Sequence, residues 1–102
     1  MSKTFDVAIA GATGAVGETL LQILAEREFP VGRMVALASE RSAGDTVTFR
    51  GREIVVQRLD TFDFAGTDIA FFSAGGSVSA EHAPRAAAAG AAAEALGLAL
   101  GD

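Results

Sequence analysis

A chain of 102 residues with a formal net charge of −5 is one domain at most, and its acidity argues against a nucleic-acid partner, which needs a basic face. The absence of cysteine excludes disulfides, thiolate metal sites and thiol nucleophiles together. Half of the residues are apolar and Trp and Tyr are absent, so the core is expected to be aliphatic, with the seven Phe as its only large rings.

Met1–Asp6 contains no signal-peptide apolar region, and no apolar run reaches the roughly 18 residues of a membrane span. A cytoplasmic protein with no membrane partner is expected. Phe5 to Ala10 is a short apolar run bounded by Gly11, which predicts a buried strand. From Ala15 the period becomes helical. Val16, Leu20, Ile23 and Leu24 form the expected apolar stripe, Glu18, Gln22 and Glu26 the polar face, and the helix should end near Arg27–Glu28. Pro30 disfavours helix at Phe29, and Met34 to Ala38 is a second strand. Strand, helix and strand with short connections make a right-handed βαβ unit.

Ser39 to Asp45 is a polar loop. Thr46–Phe49 and Glu53–Val56 flank Arg50-Gly51-Arg52, which predicts a hairpin. Asp68 to Phe72 is a third buried parallel strand, followed by the small-residue loop Ser73-Ala74-Gly75-Gly76-Ser77. Ser79 to Ala89 should be helical, with Ser77 or Ser79 as N-cap. From Ala86 the composition becomes almost pure Ala, which favours helix intrinsically.

Gly11-Ala12-Thr13-Gly14-Ala15-Val16-Gly17 joins the first strand to the first helix. Such a turn lets backbone N–H groups approach a pyrophosphate, and the helix N-terminus adds its positive dipole end. Gly11 allows the tight turn, Gly14 the close approach of the pyrophosphate, and Gly17 the packing of the helix on the sheet. The spacing is Gly-x-x-Gly-x-x-Gly rather than the usual Gly-x-Gly-x-x-Gly. The plain alternative is a set of glycines that only terminates a strand.

At the end of the second strand such folds read the adenosine ribose. An acid there accepts from a free 2′-hydroxyl, and an arginine accommodates a 2′-phosphate. Ser39-Glu40-Arg41-Ser42 offers both. Arg41 is expected inward and Glu40 outward, with NADP preferred; Glu40 inward would repel the phosphate and favour NAD. Ser73, Ala74 and Gly75 lie on the same sheet edge and are expected near the cofactor, against the alternative of a plain strand-to-helix turn. His82, the only histidine, has no acid or nucleophile at motif spacing and is expected on a helix surface. Asp60, Asp63 and Asp68 lack the spacing of a metal site and are expected to cap loops.

Four strings together carry a resemblance: Gly11-Ala12-Thr13-Gly14-Ala15-Val16-Gly17-Glu18, Phe29-Pro30-Val31, Leu37-Ala38-Ser39-Glu40-Arg41-Ser42-Ala43-Gly44 and Phe72-Ser73-Ala74-Gly75-Gly76-Ser77. From about residue 4 to residue 90 the chain resembles the N-terminal part of aspartate-β-semialdehyde dehydrogenase. The resemblance implies an α/β, Rossmann-like domain over residues 1–90, a partial doubly wound and mostly parallel sheet with flanking helices, that binds NADP(H). It implies that Thr13, Gly14, Ala15 and Val16 hold the pyrophosphate. Ser39, Arg41 and Ser42 would take the 2′-phosphate, and Ser73, Ala74 and Gly75 would line the nicotinamide side.

The whole enzyme of that family reversibly reduces aspartyl phosphate to aspartate semialdehyde with NADPH, through a cysteine thioester, in amino-acid biosynthesis and usually as a homo-oligomer. Residues 91–102 depart from the family and are expected to form a helical, Ala-rich tail. The family's cysteine, catalytic histidine and substrate arginines have no counterparts here, so this chain alone is expected to be inactive. A half-sheet leaves an edge that invites self-association or a missing catalytic domain. Two other readings are a structural fragment without autonomous binding and the NAD(P) domain of another reductase or epimerase with this glycine spacing. The Ser39 to Gly44 string argues against the latter.

Overall fold

The computed structural model describes residues 3–73, 82 and 84–90, and residues 92–95 as backbone. In chain order it holds β1 (Phe5–Ala10), α1 (Ala15–Glu26), β2 (Val31–Ala38), β3 (Thr46–Phe49), β4 (Arg52–Val55), β5 (Gln57–Arg58), β6 (Ile69–Phe72) and β7 (Ala92–Ala95). Five strands form one sheet in the order β5-β2-β1-β6-β7. Every pairing in it is parallel. The α/β, mostly parallel architecture expected from the sequence is what forms.

Strand alternation divides the core into two. Val7, Ile9, Ala36 and Ala38 face α1 and the hairpin, against Leu21, Leu24, Val47 and Phe49. Ala8, Ala10, Val35, Leu37, Ala70 and Phe72 face the opposite side, against Leu59, Phe64 and Ala86. A sheet buried on both faces reads as continuous apolar runs, which is why β1 and the end of β2 show no polar alternation. Phe62, Phe64 and Phe72 fill the second layer, with Phe62 and Phe64 edge to face at 5.0 Å between centroids.

Several expectations need correction. The buried stripe of α1 is Gly17, Leu21 and Leu24, whereas Val16 and Ile23 are 40% and 41% exposed. Gly17 rests on the backbone of Gly11 and Ala12, and this contact sets the rotation of the helix, not the largest apolar moment. β2 begins at Val31 rather than Met34, because Phe5 already pairs with Val31 and its N–H donates to the Pro30 carbonyl at 2.8 Å. The hairpin forms with its second strand one residue early. Arg50 and Gly51, both at positive φ (54° and 77°), make a two-residue turn of the type whose twist suits a hairpin.

β5 was not foreseen, since two residues carry no readable period. The Ala-rich segment was expected to be helical, yet residues 92–95 are a strand paired to β6 from Ile69↔Ala92 to Phe72↔Ala95. The unpaired N–H and C=O groups along β6 outweigh the few tenths of a kcal/mol per residue by which Ala prefers a helix. The sheet therefore continues past residue 90. Of the helix expected over 79–89, residues 82 and 84–88 are helical, residue 89 is already a turn, and 79–81 and 83 lie outside the described residues.

Candidate functional site

The strand order places the site. From β1 the chain passes through α1 to β2 and then β5 on one side, while β6 and β7 lie on the other side of β1. In an open parallel sheet, ligands bind beyond the carboxyl ends of the strands where the order reverses. That point lies between the ends of β1 and β6, at the Gly11 turn and Ser73. A cleft of about 440 Å³ opens there. Gly11, Thr13, Gly14, Ala38, Ser39, Glu40, Ser42, Leu59, Asp60, Ser73 and His82 line it. Two larger depressions, about 550 and 670 Å³, flank the hairpin and touch none of the glycine turn.

The turn is held by backbone hydrogen bonds. The N–H groups of Gly11 and Ala12 donate to the Leu37 carbonyl at 2.8 and 3.2 Å, and Gly14 N–H donates to the Gly11 carbonyl at 3.0 Å. Gly14 is the N-cap of α1 and supplies no side-chain cap. The N–H groups of a helix's first turn have no intrahelical acceptor, so they face the cleft mouth able to bind an anion.

The glycines divide by cause. A Cβ on Gly17 would fall 2.2 Å from the Gly11 carbonyl oxygen, so the fold itself requires glycine. A Cβ on Gly14 would meet that oxygen at an ordinary 3.5 Å, and Gly14 has an unstrained φ of −84°. The fold does not require glycine at 14. Ala15 and Val16 are exposed at the same helix start, available to a ligand rather than to the core.

Ser73 ties the two loops together. Its N–H donates to the Ala10 carbonyl at 2.9 Å, and its hydroxyl donates to the carbonyls of Ala10 at 2.8 Å and Gly11 at 3.3 Å. Ala74 and Gly75 lie outside the described residues.

The Ser39–Ser42 turn differs from its expected orientation. Glu40 and Ser42 contribute to the cleft wall, with Ser39, while Arg41 is exposed and outside it. The cation beside the wall is Arg58, in β5. Its Nη1 lies 3.8 Å from Glu40 Oε1, and its Nε and Nη2 donate to Asp60 at 3.0 and 2.7 Å. The hydrogen bond from Arg58 holds the Asp60 carboxyl below its ordinary value, and the same bond raises Arg58. Arg58 had no motif around it, and only the fold brings it beside residue 40.

His82, expected on the surface, is 7% exposed and lies in the cleft wall. Arg85 explains its burial. Arg85 Nη1 lies 2.6 Å from His82 Nδ1 and donates to the Leu59 carbonyl at 3.1 Å, and Nη2 donates to the Phe62 carbonyl at 2.6 Å. An arginine can only donate, so His82 Nδ1 accepts and the proton of the neutral ring sits on Nε2. Asp63 and Asp68 cap loops as expected, accepting from Ala65 N–H at 3.0 Å and Asp6 N–H at 2.8 Å. Among the described residues no cluster of His, Cys, Asp and Glu could hold a metal, and no helix is long and apolar enough to cross a membrane.

The family described as "Semialdehyde dehydrogenase, NAD binding domain" matches residues 6–94. The aspartate-semialdehyde dehydrogenase of Legionella pneumophila is 59% identical over 90 residues, 88% of this chain and 26% of that protein. The crystal structure of aspartate semialdehyde dehydrogenase II from Vibrio cholerae, complexed with ASA, superposes with a TM-score of 0.86 at 55% identity. It covers 89% of this chain and 30% of that one. The NADP-bound aspartate semialdehyde dehydrogenase of Candida albicans, at 23% identity and a TM-score of 0.67, shares the fold over 89% of this chain and 29% of its own. The chain thus spans about a quarter of the length of the curated relatives it matches. It belongs to the family of semialdehyde dehydrogenase NAD-binding domains.

Proposed function

We propose that this chain holds NADP(H) across the ends of β1, β2 and β6, as the cofactor-binding part of an aspartate-semialdehyde dehydrogenase. One observation carries the reading. Gly14 is a glycine that the fold does not need, at the one place where a pyrophosphate must come close to backbone. In this reading the backbone at Thr13, Gly14, Ala15 and Val16 binds the pyrophosphate, with Gly11 and Gly17 shaping the turn. Ser39, Arg41 and Ser42 surround the ribose 2′-phosphate, and Ser73, Ala74 and Gly75 line the nicotinamide side. Ser73 holds the turn rigid, so the N–H groups are aimed before the ligand arrives.

When bound, the cofactor supplies the reducing equivalent. This chain's residues bind it and orient it, and no thiol among them forms a covalent intermediate. The relatives' names support aspartate semialdehyde as the substrate of the larger assembly. A cytoplasmic setting, a catalytic domain or a second copy of the chain against the outer strands belong to the same proposal.

A second reading has its own observation. Glu40 and Asp60 in the cleft wall would suit the free ribose hydroxyls of NAD. Calorimetric titration of the chain with NADPH and with NADH separates the two. Saturable binding with NADPH tighter supports NADP, the reverse order supports NAD, and binding of neither refutes a cofactor domain that works on its own.

A further inference from the structure

β2 pairs with β1 from Val31 to Leu37, but with β5 only at Leu37 and Ala38. Its outer edge from Val31 to Val35 has no strand beside it among the described residues. Two hydrogen bonds at the end of β2 fix which groups point that way. The Leu37 carbonyl accepts from Gly11, on the β1 side, and the Ala38 carbonyl accepts from Leu59, on the β5 side. Successive residues of a strand alternate in this direction, so Met34 turns its N–H and C=O to the open edge. Neither has a partner there among the described residues.

This edge is one wall of the depression of about 670 Å³ beside the hairpin, and β4 is the other. Val31 and Met34 of β2 and Phe49 and Ile54 of the hairpin give it an apolar floor. Arg33, Arg50 and Arg52 surround that floor, with Glu53 as the only acid in the lining. Arg50 is anchored, since it donates to the Phe29 carbonyl and its guanidinium lies 5.0 Å from the centre of the Phe49 ring. Arg33 and Arg52 are exposed and enter no ion pair among the described residues. Asp6 stands near, its Oδ1 2.9 Å from where a Cβ on Gly32 would lie, and the cations remain in excess. The excess is local, on a chain whose net charge is −5.

An open edge is a template for another strand. Symmetric pairing of two copies would lay this edge of β2 against itself and bring each set of arginines against its own double. The rim opposes that pairing and favours an acidic partner. We propose that the groove takes an extended segment of another protein, with acidic and apolar side chains in alternation, as an added strand on β2. Backbone bonds at Met34 hold the segment, its apolar side chains enter the floor, and its carboxylates meet the arginines of the rim. The groove lies at the start of β2 and shares no lining residue with the cleft at the glycine turn.

Amide spectra of the whole chain test this during titration with the peptide acetyl-Glu-Val-Glu-Val-Glu-Val-Glu-amide, and with the same peptide carrying Lys for every Glu. The acidic peptide should give saturable shifts confined to Val31–Ala36 and Phe49–Val55. At saturation it should slow hydrogen exchange of the Met34 amide at least about tenfold. Arg33→Glu and Arg52→Glu, both at exposed positions, should each weaken binding at least about threefold. No shift up to millimolar peptide overturns the proposal, as does equal binding of the lysine peptide or undiminished binding in both variants. Shifts confined to the Gly11–Gly17 turn overturn it as well. If the same amides shift with protein concentration alone and sedimentation shows a dimer, the edge belongs to a second copy and the proposal falls.

Discussion

Gly17 sits so close to Gly11 that a Cβ on it would lie 2.2 Å from the Gly11 carbonyl oxygen, nearer than any real pair of such atoms. The first turn of α1 is thereby pressed onto the exit of β1, and the N–H groups of the helix start are fixed at the mouth of the cleft. Gly17→Ala must push the helix off the sheet, at about 3 kcal/mol by analogy with overpacked cores. Urea unfolding of the variant should show that loss directly.

Gly14 should behave in the opposite way. A serine there finds ordinary space and can cap the helix, so Gly14→Ser should change stability by only a few tenths of a kcal/mol, if at all. Its side chain would occupy the approach to the helix N-terminus, and NADPH affinity should fall at least about tenfold. A chain with undiminished stability and lost nucleotide binding is the expected pair of results from denaturation and calorimetry.

Arg85 joins the second core layer to the cleft through the carbonyls of Leu59 and Phe62 and the ring of His82. Arg85→Ala leaves those acceptors without their donor and should cost about 2 kcal/mol, read from the urea midpoint. The wild-type protein should show His82 as the Nε2–H tautomer in the nitrogen shifts of its ring, because Nδ1 accepts from Arg85. A neutral ring protonated on Nδ1 would contradict the contact.

Ser73→Ala removes the hydroxyl that bonds the Ala10 and Gly11 carbonyls. Both carbonyls keep a backbone donor, from Ser73 N–H and Gly14 N–H. The stability loss should therefore stay near about 1 kcal/mol. NADPH binding should weaken as well, since the turn is less firmly held.

Asp60 gives a pH dependence of known sign. The hydrogen bond from Arg58 lowers its pKa from the ordinary 3.8, so the folded state binds this proton less readily than the unfolded chain. Its stabilising contribution is complete above the ordinary value and is lost as the pH falls through the lowered one. The stability difference between wild type and Asp60→Asn should be constant from about pH 7 to about pH 5 and shrink at lower pH, a small effect because the pair is exposed. Urea midpoints measured across this range check it.

Much of this was legible in the sequence where a local cause sufficed. Phe5–Ala10 and the glycine turn announce themselves, because a buried strand is an apolar run and a helix that touches a strand exit needs glycine at 17. The hairpin was legible from Gly51, with an error of one residue at its second strand. What stayed hidden depends on distant partners. Val16 and Ile23 look like core on a helical wheel, but the Gly17 contact turns them outward. Residues 92–95 look helical by composition, but the open edge of β6 makes them a strand. His82 is buried beside a donor three residues on, Arg85. Arg58 acquires its place only because β5 lies beside β2.

The most direct test of the central claim is to record backbone amide spectra of the chain during titration with NADPH. The account predicts saturable shifts centred on Gly11–Gly17, Ser39–Ser42, Arg58–Asp60 and Ser73, with the hairpin at Thr46–Val55 unmoved. Shifts centred on the hairpin, or none up to millimolar NADPH, would contradict it.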